Sequence, residues 1–260
     1  MSAGMNGREA DVHSTVSDKI RDYEIDEARS IQRAMLPVEP LRAPTVEVVC
    51  KFRPMAEVGG DFLDFFVMAD HRLAIFIGDV VGKGLAAALY GALAVGILRG
   101  IKKGGVPPTE VLDFLNRRLL DRAVPGRYCA VQYAVFDPAS RELSFANAGL
   151  VPRPVHISRN GCRELGGGGL PCGIFKDAQY ELNTVQLADG DALLLSTDGL
   201  IEAQNPQSEE FGIERVMAVC SQYRDAPPTT LLDHIFDAVD TFVSGTPQHD
   251  DMAAALVRLA

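Results

Sequence analysis

The stretch EVGGDFLDFFVMADHRLAIFIGDVVGKG, residues 57–84, carries the strongest structural signal in the chain. Its two apolar runs, Phe62–Met68 and Leu73–Ile77, are separated by the four residues ADHR. Two apolar runs joined by a short polar segment are the pattern of a β-hairpin. We therefore predict two antiparallel strands here and use them to place the acidic residues on either side.

Two aspartates flank this hairpin symmetrically. If the turn is centred on Asp70, Asp61 lies nine residues before the centre and Asp79 nine after it. Residues directly opposite in an antiparallel pair have Cβ atoms about 4.5–5.5 Å apart, and like charges there are destabilising. A divalent cation between them removes the repulsion, and carboxylate ligands favour Mg²⁺ or Mn²⁺.

Two further aspartates stand at predicted strand ends. The apolar run Ala192–Thr197 ends in Asp198, and Asp250 precedes the predicted last strand, Ala253–Leu259. Any one of these residues alone is explained by a turn or a helix cap. Four such sites, two of them matched across a hairpin, favour a shared metal cluster.

The rest of the sequence predicts an α+β fold. Nine strand-like runs are joined mostly by turns, and the helical patterns come in blocks, which argues against a doubly wound βαβ fold. The run Leu85–Leu98 is hydrophobic almost all round, so we expect a helix buried in the core. A second helix is predicted from Thr109 and a late one around 231–242.

The N-terminal region divides into three parts. Residues 1–16 are polar and aperiodic, so we expect a disordered tail. Residues 17–40 hold an amphipathic helix that ends at Pro37 and precedes a single domain over 41–260. This linker helix either docks on the domain or pairs with a second copy to form a homodimer, and its pattern does not separate the two.

Composition excludes several classes of protein. The chain has 25 basic and 35 acidic residues, a net charge of −10, and no basic stripe, which argues against nucleic-acid binding. Its longest uncharged apolar run, Leu85–Leu98, is shorter than the roughly 20 residues that span a bilayer. The N-terminus has no signal-peptide pattern. We therefore expect no membrane partner and a cytoplasmic location.

The cysteines and the glycine-rich loop add little chemistry. No two cysteines have CxxC spacing, and their odd number argues against a disulfide framework, so we expect buried apolar thiols. The segment GDVVGKG is not a phosphate-binding loop, because Gly84 stands where Ser or Thr is required. Lys83 is either a phosphate contact or a solvated loop residue, and His249 either a proton shuttle or a bystander.

Several motifs together resemble a known family, and they occur in order over most of the chain. They are ARSIQRAMLP, EVGGDFLDFF, GDVVGKGLAAAL, NAG, LPCGI, DGDALLLSTDGLIEA and HDDMA. This pattern is similar to the metal-dependent Ser/Thr protein phosphatases (PPM, or protein phosphatase type 2C), in the bacterial SpoIIE/RsbU-like branch. The resemblance implies two packed antiparallel sheets flanked by helices, an αββα sandwich, preceded here by the linker helix.

The resemblance also implies roles for individual residues. Asp79 would bridge two Mn²⁺ or Mg²⁺ ions, and the backbone carbonyl of Val80 would hold the second ion. Asp198 and Asp250 would complete the shell of the first ion, and Asp61 would bind the second directly or through water. The implied activity is hydrolysis of phosphoserine or phosphothreonine by a metal-activated water, with no covalent intermediate.

The implied substrate is a phosphorylated STAS-domain protein, an anti-sigma-factor antagonist in a partner-switching signalling system. The sequence departs from the family pattern at Val81, Ala130, Leu150 and Ala253, although each proposed ligand is retained. Two alternatives remain open at this point. One is a catalytically weak phosphatase fold that serves as a binding module, and the other is a phosphoesterase for small molecules.

Overall fold

The computed structural model describes residues 6–37, 39–101 and 104–259. Its helices within those ranges are α1 Asn6–Met35, α2 Leu85–Arg99, α3 Pro108–Leu120, α4 Gly212–Gln222 and α5 Pro228–Val243. Its strands there are β1 Leu41–Ala43, β2 Val46–Arg53, β3 Phe62–Val67, β4 Leu73–Val80, β5 Cys129–Asp137, β6 Glu142–Ala148, β7 Val155–Ser158, β8 Gly161–Glu164, β9 Asn183–Gln186, β10 Ala192–Ser196 and β11 Met252–Leu259.

The strands form two antiparallel sheets. One has the order β1-β2-β11-β10-β7-β8 and the other β3-β4-β5-β6-β9. Their facing sides enclose one apolar core, which includes Leu63, Ile75 and Leu195. Alternating residues such as Phe62 and Phe76 point outward onto α2 and α3, while α4 and α5 cover the other sheet. The expected α+β class with an αββα sandwich is confirmed.

The predicted hairpin forms in the predicted register. Phe62 pairs with Gly78 and Val67 with Leu73, so the residue numbers of each pair sum to 140. Asp61 and Asp79 follow the same register one step beyond the last pair. This edge of the hairpin lies beside the end of β10 and the start of β11, which belong to the other sheet.

Helix α2 corrects one prediction. Its inner face is buried at Ala94 and Leu98, as expected for a core helix. However, Leu85, Leu89 and Leu93 are 49%, 64% and 47% exposed, so the helix is not buried all round. These leucines recur every four residues and share one face, which the sandwich leaves uncovered.

The sequence pattern also missed some elements. Helix α4 and the short strands β1 and β8 were not predicted, since β1 spans only three residues and β8 directly follows a turn.

All five cysteines are free, as expected; three are buried, whereas Cys50 and Cys162 are partly exposed. No helix of the described residues is long and apolar enough to cross a membrane.

Helix α1 begins at Asn6, earlier than the predicted start, and its first residues fall in the segment 1–16. Residues 1–5 lie outside the described chain. The division into tail, linker helix and domain stays a prediction. At its C-terminal end α1 rests on the domain, because Met35 packs on the core beneath α2 and Leu36 on the core between the sheets.

Candidate active site

The hairpin supplies the first two acidic residues of the site. Asp61 immediately precedes β3 and is 3% exposed, and Asp79 is the penultimate residue of β4. Gly78 allows the two strands to close there, since a Cβ at that position would lie 2.4 Å from the Phe62 ring. A side chain at position 78 would therefore push apart the strands that bring Asp61 and Asp79 together.

The other sheet supplies the remaining aspartates. Asp198 begins a short 3₁₀ helix, Asp198–Leu200, after the end of β10, and Asp250 lies two residues before β11. Thr197 connects the two sheets, because its hydroxyl donates a hydrogen bond of 2.6 Å to the Asp61 carboxylate. The Thr197 hydroxyl also accepts a bond of 2.9 Å from the backbone N–H of Ala253.

Burial and mutual repulsion shift the acidity of this cluster. Burial, followed by the charge of Asp79, raises the pKa of Asp61 well above its usual range. Burial, with the charges of Asp250 and Asp251, raises the pKa of Asp79 to about 6, although a hydrogen bond with Asp61 opposes the shift. Burial, followed by Asp79 and Glu202, raises the pKa of Asp198 to about 7. Each of these carboxylates is thus less stable as an anion here than in water.

A lysine faces the cluster from the loop after β4. The ammonium group of Lys83 lies 3.1 Å from the Asp250 carboxylate. It also donates a hydrogen bond to the backbone carbonyl of His249, so this contact involves the main chain of His249 and not its ring. Lys83 therefore ties the loop after β4 to the loop before β11.

Asp251 is a site residue that the sequence analysis passed over. It is 6% exposed, and its carboxylate accepts hydrogen bonds from the backbone N–H groups of Met55 at 2.7 Å and Gly60 at 2.6 Å. A Cβ at Gly199 would lie 1.9 Å from the Asp251 carbonyl oxygen, so the backbones touch there. The doubled aspartate in HDDM was the available signal. Successive residues of an extended segment point to opposite sides, so the two aspartates should contact different partners.

The predicted site residues Asp61, Asp79, Asp198 and Asp250 therefore gather at one edge, where the two sheets meet. Val80, whose carbonyl was predicted as a ligand, is fully buried at the end of β4. Within the described residues, however, no three Asp, Glu, His or Cys side chains are arranged so that they could hold a metal ion. In this structure Thr197 bonds to Asp61, and Lys83 pairs with Asp250.

Two departures from the family pattern, Ala130 and Ala253, lie beside this edge, and a third, Leu150, lies in the core. Ala130 is the register partner of Asp79 on the neighbouring strand. Leu150 is 2% exposed in the core between the sheets, and its N–H donates a 2.8 Å bond to the Asn147 side chain. Ala253 is fully buried and bonds Thr197 through its main chain. None of the three replaces a side chain of the aspartate cluster.

Curated relatives resemble the chain over most of its length. Protein IcfG of Synechocystis sp. is 27% identical over 93% of this chain, which spans 42% of that protein. Phosphoserine phosphatase RsbU of Bacillus subtilis is 24% identical over 90% of this chain and 70% of its own length. The chain thus corresponds to a part of these longer proteins.

A solved structure shares the fold. The SiaA-PP2C domain of Pseudomonas aeruginosa superimposes with a TM-score of 0.82 at 24% identity, covering 95% of this chain and 99% of that one. The family model described as Stage II sporulation protein E (SpoIIE) matches residues 69–260, about three quarters of the chain. That match includes Asp79, Asp198 and Asp250. The chain belongs to the SpoIIE family of PP2C-type phosphatases.

Proposed function

We propose that this protein is a Mn²⁺- or Mg²⁺-dependent phosphatase that hydrolyses phosphoserine or phosphothreonine on a signalling protein. One observation carries the proposal: Asp61, Asp79, Asp198 and Asp250 come from four strand ends to one edge of a SpoIIE-family domain. Burial and the charges of neighbouring carboxylates raise the pKa of Asp61, Asp79 and Asp198. Divalent cations bound there would offset the repulsion among these carboxylates.

The donor set suits hard cations. It consists of carboxylate oxygens and the Val80 carbonyl, with no thiolate among the proposed ligands. In this proposal Asp79, Asp198 and Asp250 would hold one ion, and Asp79, the Val80 carbonyl and Asp61, directly or through water, would hold a second. When bound, such ions would supply an activated water and offset charge on the phosphoryl oxygens.

Side chains around the ligands have their own tasks in this proposal. The Thr197 hydroxyl orients Asp61 and leaves its other carboxylate oxygen free of that bond. If Asp250 turned to hold an ion, Lys83 would lose this contact but keep its bond to the His249 carbonyl, and its ammonium group would be available to a phosphoryl group. Because Lys83 is 48% exposed, substrate can reach it from solvent.

The proposed substrate is a phosphorylated STAS-domain protein, an anti-sigma-factor antagonist, which follows from the family resemblance.

The linker helix over 17–40 is the proposed contact for a homodimer. Ile20, Tyr23 and Ile31 of α1 are 55%, 64% and 63% exposed and are available to a second copy. Light scattering on the whole chain over a range of concentrations tests this, and a constant monomer mass contradicts it.

Phosphate release from a phosphorylated STAS-domain protein tests the enzymatic proposal. We expect release with Mn²⁺, none with EDTA, and a loss of at least a hundredfold for Asp79→Asn, since the bridging carboxylate would be gone. Asp177→Asn, an exposed loop aspartate, is the matched control and should retain full activity. No release from the folded wild-type protein with either metal would favour the binding module instead. Release from p-nitrophenyl phosphate alone would favour the small-molecule phosphoesterase.

A further inference from the structure

The segment 54–60 connects β2 to β3 and delivers Asp61 to the site. It has no helical or strand hydrogen bonds of its own. Its conformation is therefore set by the groups that contact its backbone. In this structure those groups come from two distant parts of the chain, helix α1 and the start of β11.

Gln32 of α1 makes a two-point contact with this segment. Its side-chain amide Nε2 donates to the Gly59 carbonyl at 2.7 Å, and its Oε1 accepts from the Gly59 N–H at 3.1 Å. One side-chain amide thus satisfies both polar groups of Gly59, as a neighbouring strand would. One turn earlier in the helix, Arg29 donates to the Glu57 carbonyl at 3.3 Å and pairs with the Glu57 carboxylate.

Asp251 holds the opposite side of the same segment. It accepts from the N–H groups of Met55 and Gly60, the residue directly before Asp61. The fit is close, since a Cβ on Gly59 would lie 2.5 Å from the Asp251 carboxylate. The backbone at Gly59 is therefore clamped between Gln32 and Asp251, and Asp61 follows two residues later.

We propose that Gln32 is a positioning residue that fixes the placement of Asp61, so that helix α1 is a working part of the metal site. The inference rests on the proposed function, because it takes Asp61 to be a metal ligand. Without the Gln32 amide, Gly59 exchanges its bonds for water and Asp61 samples more orientations. The affinity of the site for metal then falls while the folded domain persists.

Four measurements on Gln32→Leu test the proposal, with Arg33→Leu as the control. Arg33 is the next residue on the helix and is exposed, so the control adds the same side chain away from the segment. We expect Gln32→Leu to weaken Mn²⁺ binding about tenfold by calorimetry and to speed amide hydrogen exchange at residues 57–61. Its unfolding midpoint in EDTA should stay close to that of Arg33→Leu. In turnover assays, saturating Mn²⁺ should restore most of the rate.

Two results would overturn the role of Gln32. One is Mn²⁺ binding and hydrogen exchange equal to those of the wild type, and the other is a loss of affinity that Arg33→Leu shows equally. If Gln32→Leu unfolds in EDTA, Gln32→Ala repeats the comparison with a smaller side chain. A wild-type protein that binds no Mn²⁺ contradicts the proposed function itself, and that outcome is read from the wild type alone.

Discussion

Two kinds of carboxylate stand side by side at this site, since Asp251 is buried and Asp79 is half-buried. Asp251 accepts two backbone hydrogen bonds and holds the segment that leads to Asp61. Asp79 lies among other acidic groups; burial and the charges of Asp250 and Asp251 raise its pKa, and hydrogen bonds with Asp61 and the Val80 main chain offset only part of that shift. A buried charge is costly unless it is paired or hydrogen-bonded. Removing the Asp251 carboxylate and removing the Asp79 carboxylate should therefore have opposite effects on the stability of the metal-free protein.

Substitutions at these two positions test the contrast in EDTA. Asp251→Ala should lower the free energy of unfolding by about 2–4 kcal/mol, because two buried N–H donors lose their acceptor. Asp79→Asn should raise it by about 1–3 kcal/mol at pH 7, because a half-buried charge is removed from among like charges. Urea denaturation at constant protein concentration measures both. Equal destabilisation by the two variants would contradict this division of the cluster.

At the scale of the element, helix α2 shows why composition overstates burial. Its inner face packs on the sheet formed by β3 and β4, while a stripe of leucines faces outward. Apolar residues contribute a large share of any protein surface, so a leucine-rich helix need not be buried on all sides. The same residue type thus has two different energetic roles in one helix.

A matched pair of leucines measures that difference. Leu98→Ala should destabilise the protein by about 2–5 kcal/mol, because Leu98 is fully buried and its removal leaves a cavity. Leu89→Ala should change stability by less than about 0.5 kcal/mol, since this side chain is 64% exposed. Thermal or urea unfolding of the two variants gives the comparison. A large loss at Leu89 would mean that another surface covers this stripe in solution.

At the scale of the whole molecule, the site exists because two sheets meet at one edge. Asp61 and Asp79 arrive with one sheet, Asp198 and Asp250 with the other, and Thr197 bonds across the junction. Folding therefore concentrates acidic groups that are far apart in the unfolded chain. Without cations, this concentration makes the stability of the whole domain depend on pH.

The sign of that dependence follows from the raised pKa values. An aspartate whose pKa is higher in the folded than in the unfolded state stabilises the fold while it is protonated. In EDTA the free energy of unfolding should be greatest near pH 4 and should fall as the pH rises through about 6 for Asp79 and about 7 for Asp198. Urea denaturation across that range checks this. Asp198→Asn should flatten the curve, and an unchanged slope in that variant would contradict the assignment.

The sequence by itself determined the hairpin, its register and the family. Period-two runs around a four-residue turn define which residues face each other, so the opposition of Asp61 and Asp79 follows from counting along the chain. The motifs around Asp198 and Asp250 are local in the same sense, because each is a strand end followed by an acidic residue. Local patterns of this kind need no knowledge of distant contacts.

Only the tertiary structure decided what holds Asp61 in place. Thr197, Asp251 and Gln32 lie 136, 190 and 29 residues from Asp61 in the chain, and no periodicity links them to it. Their hydrogen bonds depend on how the two sheets stack and where α1 crosses the segment before β3. The exposed face of α2 was likewise decided by packing, since a hydrophobic pattern reports which residues avoid water but not which surfaces are available to cover them.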